Sequence, residues 1–170
     1  MEIRTVETTD IQEVAQVHIA SWQSAFRGVL SDKVLDQLKL EDFMEQWRSN
    51  LQQEYRENLL ATTDDGQVVG FISFGPERTQ EAQAQSSMGE LYGLYIHPEH
   101  WGHGVGKELL AKALEQLKQK SFREVVLWTM QKNAMARAFY AKHGFSLDGS
   151  VKESQYAEER FWEVRFRIVF

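Results

Sequence analysis

Pro98-Glu99-His100-Trp101-Gly102-His103-Gly104-Val105-Gly106-Lys107 runs directly into Leu109, Leu110, Ala113, Leu114 and Leu117, apolar residues at helical spacing. Glycine at alternate positions removes the Cβ atoms from one tight loop, so several backbone N–H groups can converge on a single bulky anion. The unpaired donors of the helix's first turn and the positive end of its dipole strengthen the same point. The stretch therefore reads as a phosphate cradle feeding a helix N-terminus.

The surrounding chain sets limits on what uses that cradle. With 170 residues, 42% of them hydrophobic, residues 1–170 are expected to form a single domain with a core that needs neither metal nor disulfide. A net charge of -6 argues against nucleic acid or anionic membrane as a partner and suits a cationic small substrate. The absence of Cys excludes a disulfide framework, a thiolate nucleophile and a zinc-thiolate site, and fits a reducing compartment. Met1 to Glu7 lacks the apolar segment of a signal peptide, and no later run has the length of a membrane span. The expected location is the cytoplasm.

Outward from the cradle, the pattern predicts a mixed α/β sheet protein in the order β-α-α-β-β-β-α-β-α-β-β. Residues 2–7 alternate as a strand. Thr8-Thr9-Asp10 offers caps to a helix with Ile11, Val14, Ala15, Val17, Ile19 and Trp22 on one face. Gly28 ends that segment, and Ser31-Asp32 restarts helix through Leu51, either long or broken. Strands 59–63 and 68–74 form a hairpin around Asp64-Asp65-Gly66-Gln67. The polar run 77–87 reads as a mobile surface loop. Then come strand 90–96, the cradle, a helix to about Lys120, strand 125–130, helix 133–143 ended by Gly144, and strands 145–151 and 160–170.

Rival readings of the cradle fail on spacing. A P-loop needs glycine five positions before Gly106 and a hydroxyl after Lys107, but Trp101 and Glu108 stand there. A dinucleotide fingerprint belongs in the first strand-helix turn with Gly-x-Gly-x-x-Gly, whereas this run is Gly-x-Gly-x-Gly in mid-chain. His97, His100 and His103 invite a metal, yet Pro98 and Gly102 break any helix that would align them, so no metal is expected. A plain tight turn with no ligand stays open.

Residues 90–110 resemble the acyl-CoA-binding motif of the GNAT superfamily of acetyl-CoA-dependent N-acyltransferases, Arg/Gln-x-x-Gly-x-Gly/Ala after a strand ending in x-Pro. Here the motif is Trp101-Gly102-His103-Gly104-Val105-Gly106, with Trp101 in place of the usual Arg or Gln. A second family element, Asn-x6-Tyr-x3-Gly-Phe, is matched by Asn133, Tyr140, Gly144 and Phe145. The resemblance implies the GNAT fold. It also implies an acyltransferase, transferring groups other than aminoacyl groups, that moves acetyl from the cosubstrate acetyl-CoA to an amine of a small molecule or peptide in a ternary complex.

The same resemblance implies site residues. Leu94 and Ile96 would pair with the pantetheine amides where strand 90–96 splays after a bulge, and the Leu94 N–H would stabilise the oxyanion. Gly102, His103, Gly104, Val105, Gly106 and Lys107 would hold the pyrophosphate. Tyr140 would protonate the departing thiolate, with a packed core aromatic as the plainer alternative. Asn133 reads as a helix N-cap, and the resemblance adds a pantetheine contact. Glu90, by period 2 on one face with Tyr92 and Leu94, is a candidate base; a solvated carboxylate with water removing the proton is the alternative. Trp22, Phe26, Arg27 and Tyr92 are candidate acceptor contacts. Aromatic residues on the last strand leave room for a homodimer. Two other function classes stay open: a silent acyl-CoA sensor, and an unrelated phosphate-binding protein.

Overall fold

Alternation at the N-terminus produces a short edge strand, β1 (Glu2–Thr5), and the capping box between Glu7 and Asp10 then turns the chain into α1 (Ile11–Ala25). The computed structural model describes residues 1–78 and 87–170. After α1 follow α2 (Asp32–Asp36), α3 (Leu40–Leu51), the antiparallel pair β2 (Glu57–Thr62) and β3 (Val68–Pro76), and β4 (Met88–Ile96). Helix α4 (Val105–Gln119), β5 (Glu124–Met130), α5 (Ala134–Lys142), β6 (Ser146–Tyr156) and β7 (Glu159–Val169) complete the chain.

The sequence pattern joined residues 31–51 into one long or broken helix; it is broken. Ser31 caps α2 by accepting from the Val34 N–H, Gln37 closes it on the Val34 carbonyl, and Lys39 is extended, so α3 starts anew. Residues 79–86 of the expected surface loop lie outside the described residues. At its start, Glu77 is buried and its N–H donates to the Met88 carbonyl.

The sheet order is β1-β2-β3-β4-β5-β7-β6, with β4 and β5 the parallel pair and every other neighbouring pair antiparallel. Period 2 sends successive side chains to two helical layers. Leu59 and Ile72 pack with Leu109, Leu110, Ala113 and Leu117 of α4, while their neighbours Leu60 and Phe71 pack with Val14 and Val17 of α1 and Trp47 of α3. A third cluster ties the α1–α2 turn, through Phe26, Leu30 and Leu35, to Met130, Tyr156 and Phe161 at one end of the sheet.

Two irregularities in this sheet make room for a site. The β3–β4 register shifts between Ser73 and Phe74, which pair with Gly93 and Leu91 and leave Tyr92 as an extra residue. The β4–β5 pairing runs from Met88 and Glu124 to Leu91 and Leu127 and goes no further, although both strands continue. Beyond Leu91 the two parallel strands part.

Candidate active site

A cleft of about 840 Å³ occupies the gap between the parted strands. Leu91–Ile96 of β4 and Leu127–Met130 of β5 form its sides; the Gly102–Lys107 loop and α5 close one end, and the α1–α2 segment with the β6–β7 hairpin closes the other.

At the first end, Gly102 and Gly104 lie in the left-handed region with φ of 79° and 86°, and a Cβ on either would point into open space. That conformation is what a backbone cradle needs, and Gly104 also serves as the N-cap of α4. Lys107, Val105 and Gly106 border the cleft; His103 is exposed and is not among the lining residues. The donor set, free first-turn N–H groups plus a lysine, fits a diphosphate. Trp101, where the motif usually has Arg or Gln, donates from its indole Nε1 to the Ile96 carbonyl at 2.8 Å. This side chain staples the loop to the strand end.

Along β4, the His97 N–H donates to Val69 on β3 at 2.8 Å. By antiparallel alternation, Ile96 and Leu94 then turn their backbone groups the other way, into the gap left by β5. Both expected positions are therefore edge groups, with the Ile96 carbonyl already accepting from Trp101.

Tyr140 sits on α5 and borders the cleft from within an aromatic group of Phe139, Phe145 and Phe166. Burial pushes its phenol pKa well above the ordinary value, so the hydroxyl keeps its proton. Tyr140 is thus both a core residue and a part of the cleft wall. Asn133 borders the cleft too; its side-chain oxygen accepts from the Ala136 N–H at 3.1 Å as the cap of α5.

Three more of the expected residues, Glu90, Tyr92 and Arg27, differ in where they sit. Glu90 is not among the residues lining the cleft. It lies where β4 and β5 still pair, before they part, and Arg78 holds its carboxylate with Nη2 at 2.6 Å and Nε at 3.1 Å. The bulge at Tyr92 undoes the simple alternation that grouped Glu90 with Leu94. Tyr92 borders the cleft, but its ring is stacked between Arg56 at 4.6 Å and Arg78 at 4.2 Å, and its hydroxyl donates to the Pro76 carbonyl. Arg27 is drawn to the surface by Asp32 at 3.0 Å and Asp36 at 2.6 Å and does not line the cleft. Trp22 and Phe26 do line it, at the α1–α2 end.

Four further residues complete that end: Tyr95, Tyr156, Phe161 and Glu163. The alternation of Phe161, Glu163 and Arg165 was visible in the sequence, but which face of β7 meets the cleft depends on its insertion between β5 and β6. Tyr95 packs against His18, whose ring is enclosed by Phe43, Trp47 and Phe71. Burial pushes the His18 pKa down to about 3, so this imidazole is neutral.

Comparison with known proteins bears on this geometry. The model of the acetyltransferase (GNAT) family matches residues 19–145. An uncharacterized N-acetyltransferase, YuaI of Bacillus subtilis, is 31% identical over 77% of this chain and 72% of its own length. Spermidine N(1)-acetyltransferase of Thermoplasma acidophilum is 27% identical over 92% of this chain and 98% of its own. The crystal structure of PaiA N-acetyltransferase from Thermoplasma acidophilum, in complex with coenzyme A, superposes with a TM-score of 0.76 at 21% identity, covering 99% of this chain and 98% of that one.

Proposed function

Because this chain belongs to the acetyltransferase (GNAT) family, we propose that it acetylates a primary amine of a small molecule or peptide by direct attack on acetyl-CoA in a ternary complex. The observation that carries this reading is the parting of β4 from β5 after Leu91 and Leu127, beside an open glycine cradle at the start of α4. A free parallel edge offers backbone groups to the amides of a pantetheine arm, as an added strand would.

In this reading the backbone from Gly102 to Gly106 and the Lys107 ammonium hold the diphosphate, and the edge groups of Leu94 and Ile96 align the arm. The Leu94 N–H donates to the thioester oxygen as it gains charge. The amine nitrogen forms its bond to the acetyl carbon, the carbon–sulfur bond breaks, and Tyr140 gives its proton to the sulfur. With Glu90 tied to Arg78, the proton shed by the nitrogen leaves through water in the cleft and restores the phenol. Proton and charge balance: sulfur ends with the proton that nitrogen lost. The lack of Cys leaves no thiol to carry an acyl intermediate.

The chain is proposed to act in the cytoplasm, which its lack of Cys suits; among the described residues no helix is long and apolar enough to cross a membrane. Residues 1–170 are proposed to act as one domain, since every strand among the described residues joins a single sheet. Incubation with acetyl-CoA and a panel of polyamines, amino acids, aminoglycosides and peptides, with free thiol monitored, tests the reading. Thiol release that depends on the amine is expected. Calorimetry showing no binding of coenzyme A, or no preference for it over ATP, would overturn it.

A further inference from the structure

The wall of the cleft is electrically lopsided. Its lysines, Lys107 and Lys142, belong to α4 and α5, whereas the one carboxylate among its described lining residues, Glu163, stands on β7 at the other end. Phe161 and Glu163 are two residues apart and share the sheet face that the α1–α2 segment covers. The Glu163 side chain is 19% exposed and accepts from Ser154 Oγ at 2.5 Å. Its charge joins burial in keeping the Tyr95 phenol protonated.

Aromatic rings crowd the same end. Trp22 lies 5.1 Å from Phe26 and 4.8 Å from Tyr156, and Phe161 packs against the same buried cluster as they do. A carboxylate set beside aromatic faces is a receptor for an ammonium ion, which gains a charge-assisted hydrogen bond and cation–π attraction together. The chain illustrates the fit itself, since the Lys152 ammonium sits 4.2 Å from the Trp128 ring centroid and 3.5 Å from Glu163. A carboxylate offers about four acceptor positions; Ser154 Oγ at 2.5 Å and the Lys152 ammonium at 3.5 Å both approach the same oxygen, Oε2.

An ammonium paired with a carboxylate holds its proton more firmly, and a protonated nitrogen has no lone pair for attack. The nitrogen bound by Glu163 is therefore not the nitrogen acetylated. Building on the acetyltransferase reading above, we propose that Glu163 is the specificity-determining residue of the acceptor end, holding one ammonium of a di- or polyamine while a second amino group of the same molecule reaches the thioester.

Steady-state kinetics with butane-1,4-diamine and with butylamine test this, with coenzyme A binding followed by calorimetry. The wild-type protein is expected to favour the diamine in kcat/KM by at least about tenfold, the worth of one hydrogen bond to a charged group. In Glu163→Gln that ratio falls toward one, through a raised KM for the diamine, and Glu163→Asp recovers part of it. Equal use of the two amines by the wild type overturns the proposal whether or not the variant folds, and so does a ratio that survives in a folded Glu163→Gln. If coenzyme A binds and neither amine is acetylated, the assignment of Glu163 falls while the cosubstrate site stands; if coenzyme A does not bind, the acetyltransferase reading falls with it.

Discussion

Arg78 grips the buried carboxylate of Glu90 through two nitrogens, at 2.6 and 3.1 Å, and its own backbone N–H donates to the same carboxylate at 3.1 Å. A group held this way stabilises the β3–β4 region, and in the reading proposed above it takes no part in proton transfer. Glu90→Gln is therefore expected to lower kcat by less than about tenfold, against the ~10²–10⁴ that loss of a general base costs. Arg78→Ala leaves the Glu90 charge buried alone. It is expected to cost about 2 kcal/mol in urea unfolding, below the ~3–5 kcal/mol of a fully buried pair, because the Arg78 side chain is 45% exposed. A hundredfold loss of kcat in a stable Glu90→Gln would return Glu90 to the chemistry.

Tyr140→Phe keeps the ring among Phe139, Phe145 and Phe166 and removes only the hydroxyl. The expected result is a fall in kcat of about 10²-fold with unchanged coenzyme A affinity. Because burial raises this pKa, Tyr140 stays protonated past the ordinary phenol value near about 10. The wild-type kcat profile should then show no alkaline loss from this group at or below that pH.

The cradle glycines should respond differently to alanine. Gly104 has φ of 86°, where a Cβ is strained whatever the space around it, so Gly104→Ala is expected to cost about 1–2 kcal/mol and to weaken coenzyme A binding. Gly106 lies inside α4, and an added Cβ would meet Phe139 at an ordinary 3.5 Å. Gly106→Ala should fold at least as stably as wild type, gaining about 0.5–1 kcal/mol from helix propensity. Thermal unfolding of the two variants side by side decides the matter; equal destabilisation would contradict the assigned backbone.

His18 makes stability depend on pH. Its folded pKa is pushed below the unfolded value of 6.5 to about 3, so below pH 6.5 the unfolded chain takes up a proton that the folded chain refuses. Stability from this residue is complete above that pH and declines as pH falls through the window down to the folded value, by up to about 1.4 kcal/mol per unit. His18→Leu should flatten the difference between urea midpoints at pH 7 and pH 5.5. A difference as steep as that of wild type would show that other groups carry it.

The cradle and the layered sheet were legible because each is local: glycine spacing, an amphipathic helix, an Asp-Gly hairpin. The positions of Tyr140 and Asn133 on the cleft wall followed from a short motif on one helix. The place of Glu90 outside the cleft lining was not legible because it turns on a bulge two residues later and on Arg78 across the sheet, neither of which period 2 reveals. Arg27 is held at the surface by Asp32, which the sequence presented only as the start of a helix, and by Asp36 one turn on. Glu163 and Tyr156 went unread as site residues because strand insertion decides their face, and insertion is a long-range choice.

That insertion also ties two parts of the cleft to each other. Among the described residues β6 pairs with the sheet through β7 alone, which follows it in sequence and takes the place beside β5. In the proposed reading, one strand thereby joins the wall that would discriminate acceptors to the parallel pair whose parting makes room for the carrier.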